Sequence, residues 1–553
     1  MNFRLFRSRP TPPWLSPLAA LLLLNGMLSF STWWPTPGIV PDHRLAPEFL
    51  WSWLILLGLV RWRGGVSPRL IAVLAVGYLT LVLGRYIDVT APALFGREIN
   101  LFWDAPQIPR FLWVTAGKLP FWVTPMALTL LALFFWTLHR VLRWAIGQAA
   151  DSAAPHVLRS RTLQGLTAAA TLLVVLNHAG VRATWPFVSK PVLPTYLRQA
   201  EIILTANSPE RLARLLPPST ALDTALAAPP GTALGGLDGR DLYLIVLESY
   251  GAITYDASPA RAAFKAMRER LAARIAAGGQ GVVSAFLRAP TFGGASDLSH
   301  LSLLSGIDIS DPLRHDVLLT TRRPTLIGLF RDNGYRTYGM YTALSWEWPE
   351  RAYYGYDVFV DGPGLGYPGP SLGYWHVPDQ YAVARFEQMH PRTPGEPPRF
   401  VFLPTITCHF PFSPVPPYQP DPATLLGPEP YAGTDLARAL AERTRWRDMF
   451  PDYARMVDYT LRWLGDFLER PPPRETVYVL VGDHQPPANV TGEGVSWDVP
   501  VYIVSRDAAL LRRFERHGFR PGLEPPRAAL GGLHDFTAML LDAFATPMAA
   551  VGR

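Results

Sequence analysis

Three apolar runs in this chain end on acids, imidazoles and hydroxyls. The run Leu242–Leu247 stops at Glu248-Ser249-Tyr250, Val477–Val481 stops at Gly482-Asp483-His484, and Phe400–Leu403 leads into Thr405-Ile406-Thr407-Cys408-His409. Taken singly, each has a structural reading: Glu248 can cap a helix, Asp483 can shape a turn, and His409 can sit satisfied beside aromatics. Two acids and two histidines at strand exits are harder to dismiss together, and Glu, Asp and His with a hydroxyl form a donor set for one divalent ion. Mn2+ is the leading choice, with Zn2+ or Mg2+ as alternatives, because carboxylates suit hard cations and imidazole suits the transition metals.

A hydroxyl is expected from residues 291–306, TFGGASDLSHLSLLSG. Here Gly293-Gly294 makes a turn after a strand expected over Gly279–Leu287, and a helix begins near Ser296. The first turn of a helix offers unpaired N–H groups and the positive end of the dipole, which favour an anion. A hydroxyl at that point can meet a phosphate and a metal together, and a metal lowers its pKa toward that of a nucleophile. For Ser296 simple N-capping is the structural alternative, and Thr291 is the next candidate nucleophile. Asp297 suits the helix start by charge. Leu298, Leu301, Leu303 and Leu304 are spaced to dock the helix on a sheet, with Ser302 and Ser305 packed among them. Ser299 and His300 are expected to touch phosphate or metal from the same end.

The elements that must hold these residues begin at Asp241. Apolar strands alternate there with helical stretches at 259–276, 324–333 and 453–469, the pattern of an α/β domain with a mostly parallel central sheet. In such sheets chemistry gathers at the carboxyl ends of the strands.

Before residue 182 the material is different. Apolar stretches at about 14–34, 47–61, 69–84, 119–138 and 162–181 read as five membrane spans, the second and third short for a hydrocarbon core of about 30 Å. Arginines at 4, 7 and 9, at 61, 63 and 69, and at 140, 143, 159 and 161 place the N-terminus inside. Five spans then put everything after 182 outside the cytoplasm, anchored in a bacterial inner membrane; an even number would put it inside. The proline-rich residues 183–238, with a helical patch around 195–215, read as a juxtamembrane linker, partly helical and partly extended, leaving 239–553 as the catalytic domain. The net charge is +7, but with no Lys/Arg block of five or more the basic character points to anionic lipid rather than nucleic acid. The lone cysteine, Cys408, excludes an intramolecular disulfide framework and a Cys-rich zinc site.

On these motifs the sequence resembles the alkaline phosphatase superfamily, and within it the membrane-anchored lipoteichoic acid synthase and periplasmic phosphoglycerol transferase group. Related sulfatases carry C/S-x-P-S-R-x-x-L-L-T-G; Ser296 to Gly306 keeps that register, with Leu298 and His300 in place of Pro and Arg. The resemblance implies Ser296 as nucleophile and metal ligand, and Glu248, Asp483 and His484 as the other ligands. Thr407-Cys408-His409-Phe410-Pro411-Phe412 is similar to T-x-H-F-P-F, whose His contacts the phosphoglycerol head group. Trp348 and Arg351 stand before Gly355-Tyr356-Asp357 at a shorter spacing than the family's head-group residues, and a packed aromatic loop is the alternative for them. With serine at the head and no cysteine near, a formylglycine sulfatase made from cysteine is excluded.

The function this implies is metal-dependent transfer of a phosphoglycerol-type head group from an anionic phospholipid to a glycan or lipid acceptor through a phosphoserine. Phosphoethanolamine transfer to lipopolysaccharide, hydrolysis with water as acceptor, and a membrane-tethered sensor on an inactive catalytic domain are the alternatives.

Overall fold

The computed structural model describes residues 15–32, 37–95, 99–105, 108–109, 122–152, 161–229, 231–256, 260–345, 348–445, 448–492 and 494–546. Parts of the expected spans, at 14, 33–34 and 119–121, lie outside the described residues. The chain divides into two compact units, Met1–Asn207 and Ser208–Arg553.

The first unit is helical. Helices Leu15–Ser29, Pro47–Arg63, Pro68–Phe95, Val123–Ser152 and Arg161–His178 fall on the five apolar stretches. Two, over Pro68–Ala91 and Val123–Asp151, are long and apolar enough to cross a membrane; Ser16–Ser29 is a shorter apolar helix. Pro68–Phe95 reaches well past the span expected at 69–84. Its sequence GRYIDVTAPALF continues the helix because Arg85 and Asp88 are buried and partnered rather than exposed: Arg85 donates to the Phe30 carbonyl at 2.9 Å, and Asp88 lies 3.8 Å from Arg85. The division between the units falls inside the expected linker. Helix Leu193–Ala206 belongs to the first unit, and helices Pro209–Leu215 and Thr220–Ala227 belong to the second.

The second unit is built on nine strands: β1 Asp241–Leu247, β2 Gly281–Arg288, β3 Arg336–Tyr341, β4 Val358–Asp361, β5 Arg399–Pro404, β6 Thr476–Gly482, β7 Asp498–Ser505, β8 Arg520–Pro521 and β9 Ala529–Gly532. They form one sheet in the order β8-β2-β7-β6-β1-β5-β3-β4, with β9 also on β2. From β6 to β4 every pairing is parallel, while β7 runs antiparallel to both β6 and β2. The central strands are apolar at nearly every position because both faces are covered, and every residue of β1, β5 and β6 is buried. Helix Phe450–Glu469 turns Tyr453, Met456, Val457, Leu461, Leu464 and Leu468 into this core at helical spacing.

Register explains the site. Leu247 pairs with Gly482 and Val246 with Pro404, so three neighbouring strands end together at one edge. Since β7 reverses direction twice over, β2 ends at that edge too. Gly482 is required there, because a Cβ would collide with the Tyr250 carbonyl oxygen.

Candidate metal and nucleophile centre

Glu248 and Asp483 leave paired positions on adjacent strands and face each other across the sheet edge. The loop after β1 is fixed by Asp483, whose Oδ1 accepts the Ser249 N–H at 2.8 Å and the His484 N–H at 2.7 Å. Thr405, next in register on β5, accepts the Glu248 N–H at 3.0 Å. Glu248 Oε1 accepts the Ser249 hydroxyl at 2.7 Å. Its Oε2 is left for a residue that arrives from elsewhere in the chain.

That residue is Ser296, the first residue of helix Ser296–Ser305. Its hydroxyl donates to Glu248 Oε2 at 3.0 Å and lies 3.1 Å from His484 Nε2. The turn that delivers it is tied to the same edge. The Gln485 carbonyl accepts the Gly293 N–H at 3.0 Å and lies 2.8 Å from His484 Nδ1. That contact puts the ring proton on Nδ1 and leaves the Nε2 lone pair toward Ser296. Gly293, at φ 70°, packs on Pro487, where a Cβ would stand 3.0 Å from the Pro487 Cα. Thr291, the other candidate nucleophile, gives its hydroxyl proton to the Gly294 carbonyl at 2.7 Å and serves the turn.

Glu248, Asp483 and His484 each offer one ligand atom, and these atoms lie within 4.8 Å of one another. The fit to a cation is carried by Asp483 Oδ2, which is buried without a hydrogen-bond partner, an arrangement costly for a carboxylate unless a positive charge faces it. Burial, and then the neighbouring Glu248 carboxylate, push Asp483 up to about 8. Burial also raises Glu248, but the His484 and His409 imidazoles and its hydrogen bonds outweigh it and hold Glu248 below the usual range. Burial lowers His484, and the two carboxylates more than reverse this. The donor set of two carboxylates, one imidazole and one hydroxyl suits a divalent ion with mixed O/N preference.

The remaining expected site residues divide. His409 stands beyond β5 with its ring stacked on Tyr374 at 4.8 Å and edge-on to Trp375 at 5.7 Å; Nδ1 lies 2.6 Å from the Phe410 carbonyl. Ser299 faces the interior. It is fully buried and donates to the Asp483 carbonyl at 2.7 Å, because one helical turn from Ser296 faces the sheet rather than the opening. His300 is edge-on to Phe402 at 5.6 Å, and burial drives its pKa down to about 4, so it is neutral at neutral pH and offers a phosphate no charge. Trp348 packs against Tyr341 at 5.0 Å and Tyr354 at 5.3 Å, and the Arg351 guanidinium lies over Phe359 at 5.5 Å. These two form part of an aromatic cluster that reaches the site through Tyr341, Phe402 and His300.

Asp379 escaped the sequence reading. Fully buried, it accepts the Ile406 N–H at 2.9 Å and the Thr407 N–H at 2.8 Å on separate oxygens, and its own N–H donates to the Thr407 hydroxyl at 2.8 Å. It fixes the loop that carries His409. Burial raises its pKa to about 6 against those hydrogen bonds. A lone Asp 27 residues before the loop it braces leaves no local pattern to find.

The mostly parallel sheet, the shared strand edge and the helix start at Ser296 define an α/β domain with its candidate site at the carboxyl edge of the sheet. Residues 288–508, which include Ser296, His409, Asp483 and His484, match the Sulfatase family model. Among solved structures the chain is similar to a protein of the alkaline phosphatase superfamily from Vibrio parahaemolyticus, at 17% identity and TM-score 0.36 over 55% of this chain and 66% of that one. It is also similar to the Streptococcus pyogenes phosphoglycerol transferase GacH in complex with sn-glycerol-1-phosphate, at 14% identity and TM-score 0.36 over 64% and 88%. A third is the C-terminal periplasmic domain of the phosphoethanolamine transferase EptC from Campylobacter jejuni, at 12% identity and TM-score 0.33 over 57% and 96%. The alignment thus spans 66% of the length of the Vibrio protein. No curated protein matches the sequence.

Proposed function

We propose that this protein is a metal-dependent transferase that moves a phosphoglycerol-type head group from an anionic phospholipid, phosphatidylglycerol, to a glycan or lipid acceptor through a phosphorylated Ser296. The observation that carries the reading is the Ser296 hydroxyl at a helix start, 3.0 Å from Glu248 Oε2 and 3.1 Å from His484 Nε2. Glu248, Asp483, His484 and Ser296 would hold the ion, which when bound supplies positive charge to the hydroxyl and the phosphoryl oxygens.

The chain's own groups supply the rest. Ser296 Oγ gives up its proton and forms a bond to phosphorus as the bond from phosphorus to the diacylglycerol oxygen breaks, and that oxygen leaves with a proton. An acceptor hydroxyl then attacks the same phosphorus, gives up its proton, and returns Ser296 to the alcohol. His409, its Nδ1 turned to the Phe410 carbonyl, has Nε2 to orient the head group or protonate the leaving oxygen. The similarity of Thr407–Phe412 to T-x-H-F-P-F favours phosphoglycerol over phosphoethanolamine. The two long apolar helices favour an anchor in the cytoplasmic membrane, and the arginine distribution along the five apolar stretches favours the second unit outside.

The test is incubation of the full chain, with Mn2+, with labelled phosphatidylglycerol or phosphatidylethanolamine, followed by mass analysis of the peptide containing Ser296. A phosphoglycerol adduct is expected. A phosphoethanolamine adduct would change the donor, and product without an added acceptor would make the protein a hydrolase. Ser296→Ala is expected to abolish the adduct and turnover while the protein remains folded in the membrane; retained turnover would move the nucleophile elsewhere.

A further inference from the structure

Helix Leu193–Ala206 carries its polarity the wrong way round for a segment bathed in water. At 3.6 residues per turn, Leu193, Leu197, Ala200 and Leu204 fall within an arc of about 60°. All four are exposed, the leucines by 50%, 61% and 56%. The opposite face is buried and holds Gln199 and Thr205, each about 5% exposed or less, beside Ile202 at 0%, while the exposed Glu201 borders the stripe.

The buried face is fastened to the membrane helices by polar contacts. Glu48, at the start of helix Pro47–Arg63, accepts the Val192 N–H at 2.6 Å and the Leu193 N–H at 2.9 Å, and so caps the helix N-terminus. The Thr195 hydroxyl donates to Asp88 at 3.1 Å. The Tyr196 hydroxyl donates to the Thr80 carbonyl at 2.5 Å, and its ring lies where any side chain at position 84 would collide, so Gly84 is what admits it. Gln199 takes the Leu101 N–H and gives an N–H to the Ile99 carbonyl, both at 2.9 Å. Four polar anchors therefore hold the helix with its leucines outward.

An outward apolar stripe held by this many specific contacts marks a surface that something other than water covers. We infer that helix Leu193–Ala206 is a lipid-facing helix, lying against the apolar spans at the membrane surface with Leu193, Leu197, Ala200 and Leu204 against acyl chains. Three further observations favour lipid as the occupant. The helix packs by its opposite face on helix Pro68–Phe95, one of the two helices long and apolar enough to cross a membrane. Just before it, Trp185 and Phe187 are also exposed, by 56% and 60%, and backbone bonds from Leu45 to Phe187 and from Ser189 to Leu45 hold them at the same end of helix Pro47–Arg63 as Glu48. Lys190, half-exposed and 3.6 Å from Asp88, completes an aromatic and basic border of the kind found at bilayer interfaces. The segment read from its prolines as a linker is then, over Trp185–Ala206, part of the membrane-bound surface. The inference stands whatever reaction the second unit performs.

The test uses the full chain in vesicles of phosphatidylglycerol and phosphatidylethanolamine, with Cys408→Ser and one new cysteine at a time carrying a nitroxide. For Leu193→Cys, Leu197→Cys, Ala200→Cys and Leu204→Cys, collisions with oxygen are expected to exceed those with an aqueous nickel chelate. The ratio is expected to invert at Glu269→Cys, an exposed position on the second unit. Nickel-dominated collisions at Leu197→Cys and Leu204→Cys would show the stripe in water, and suppression of both reagents would show it covered by protein; either result overturns the inference. Photolabelling of the unmodified chain by a diazirine phospholipid provides an independent reading, with adducts expected within residues 193–206 and their absence counting against it.

Discussion

Replacing Ser299 by alanine separates bracing from substrate contact. The Ser299 hydroxyl is fully buried and gives its proton to the Asp483 carbonyl at 2.7 Å. Removing it deletes a hydrogen bond worth about 1 kcal/mol and leaves a buried carbonyl without that partner, for a total cost of about 1–3 kcal/mol. A unit of about 350 residues gains roughly 2.1 cal/mol/K of unfolding entropy per residue, so each kcal/mol lowers Tm by about 1.4 °C and the variant should melt about 1.5–4 °C lower. Asp483 is also a proposed ligand, and loosening its backbone should weaken metal binding about tenfold, the low end for outer contacts of metal ligands.

The assay is calorimetry of the purified full chain, reading the transition of the second unit, together with head-group transfer measured against Mn2+ concentration. The bracing role predicts a lowered Tm, a rightward shift of the metal curve, and kcat at saturating metal close to that of the unsubstituted enzyme. A phosphate contact predicts the reverse: unchanged Tm and metal curve, with a raised KM for lipid. The second pattern would refute the assignment of Ser299 to the interior.

Chelation should destabilise the second unit, and more so at higher pH. Asp483, at about 8 without an ion, favours the fold when protonated; that stability is full below its ordinary carboxylate value and is lost as pH rises through 8. Tm of the chelated protein should therefore fall between pH 6 and 9, and Mn2+ should restore it at pH 8.5. Asp379→Asn supplies one oxygen where two separate N–H groups need one each, so it should loosen the His409 loop by about 1–3 kcal/mol and lower head-group transfer while leaving metal affinity intact, as checked by calorimetric titration. His300, with a pKa of about 4, contributes stability above its ordinary value that is lost as pH falls through 4; His300→Phe should flatten the acid limb of the Tm profile between pH 6.5 and 4.

Much of the second unit was legible because its central strands are unbroken apolar runs. β1, β5 and β6 extend the expected runs by only one or two residues, and the helix begins at Ser296 as the two glycines predict. The carboxylates were legible because each stands at the end of such a run. β7 was not, since Asp498–Ser505 contains Pro500, a residue that argues against an interior strand; β7 runs antiparallel, pairing Pro500 with Phe286. The outward stripe of helix Leu193–Ala206 was hidden by the prolines around it, and its meaning depends on which face the membrane helices cover. Ser299 and Asp379 could not be assigned because both act on backbone groups brought near by folding.

The insertion of β7 also accounts for the strained approach to Ser296. It places β2 three strands from β1, about 14 Å at ordinary strand spacing, so the chain leaving Arg288 must cross back over the edge to bring Ser296 to Glu248. Seven residues, Ala289 to Ala295, make that crossing and must then start a helix at once. Gly293 bends at φ 70°, held to Gln485, and Ala295 takes φ 58°, a left-handed conformation that costs a residue with a Cβ on the order of 1 kcal/mol. Three of the four non-glycine residues at positive φ among the described residues, Ser249, Ala295 and Phe412, lie within three positions of Glu248, Ser296 and His409. Strain gathered at the residues proposed to bind the ion, attack phosphorus and hold the head group is sustained by the rigid sheet behind them, where packing over-determines the backbone. It fixes Ser296 against Glu248 and His484 before any substrate arrives.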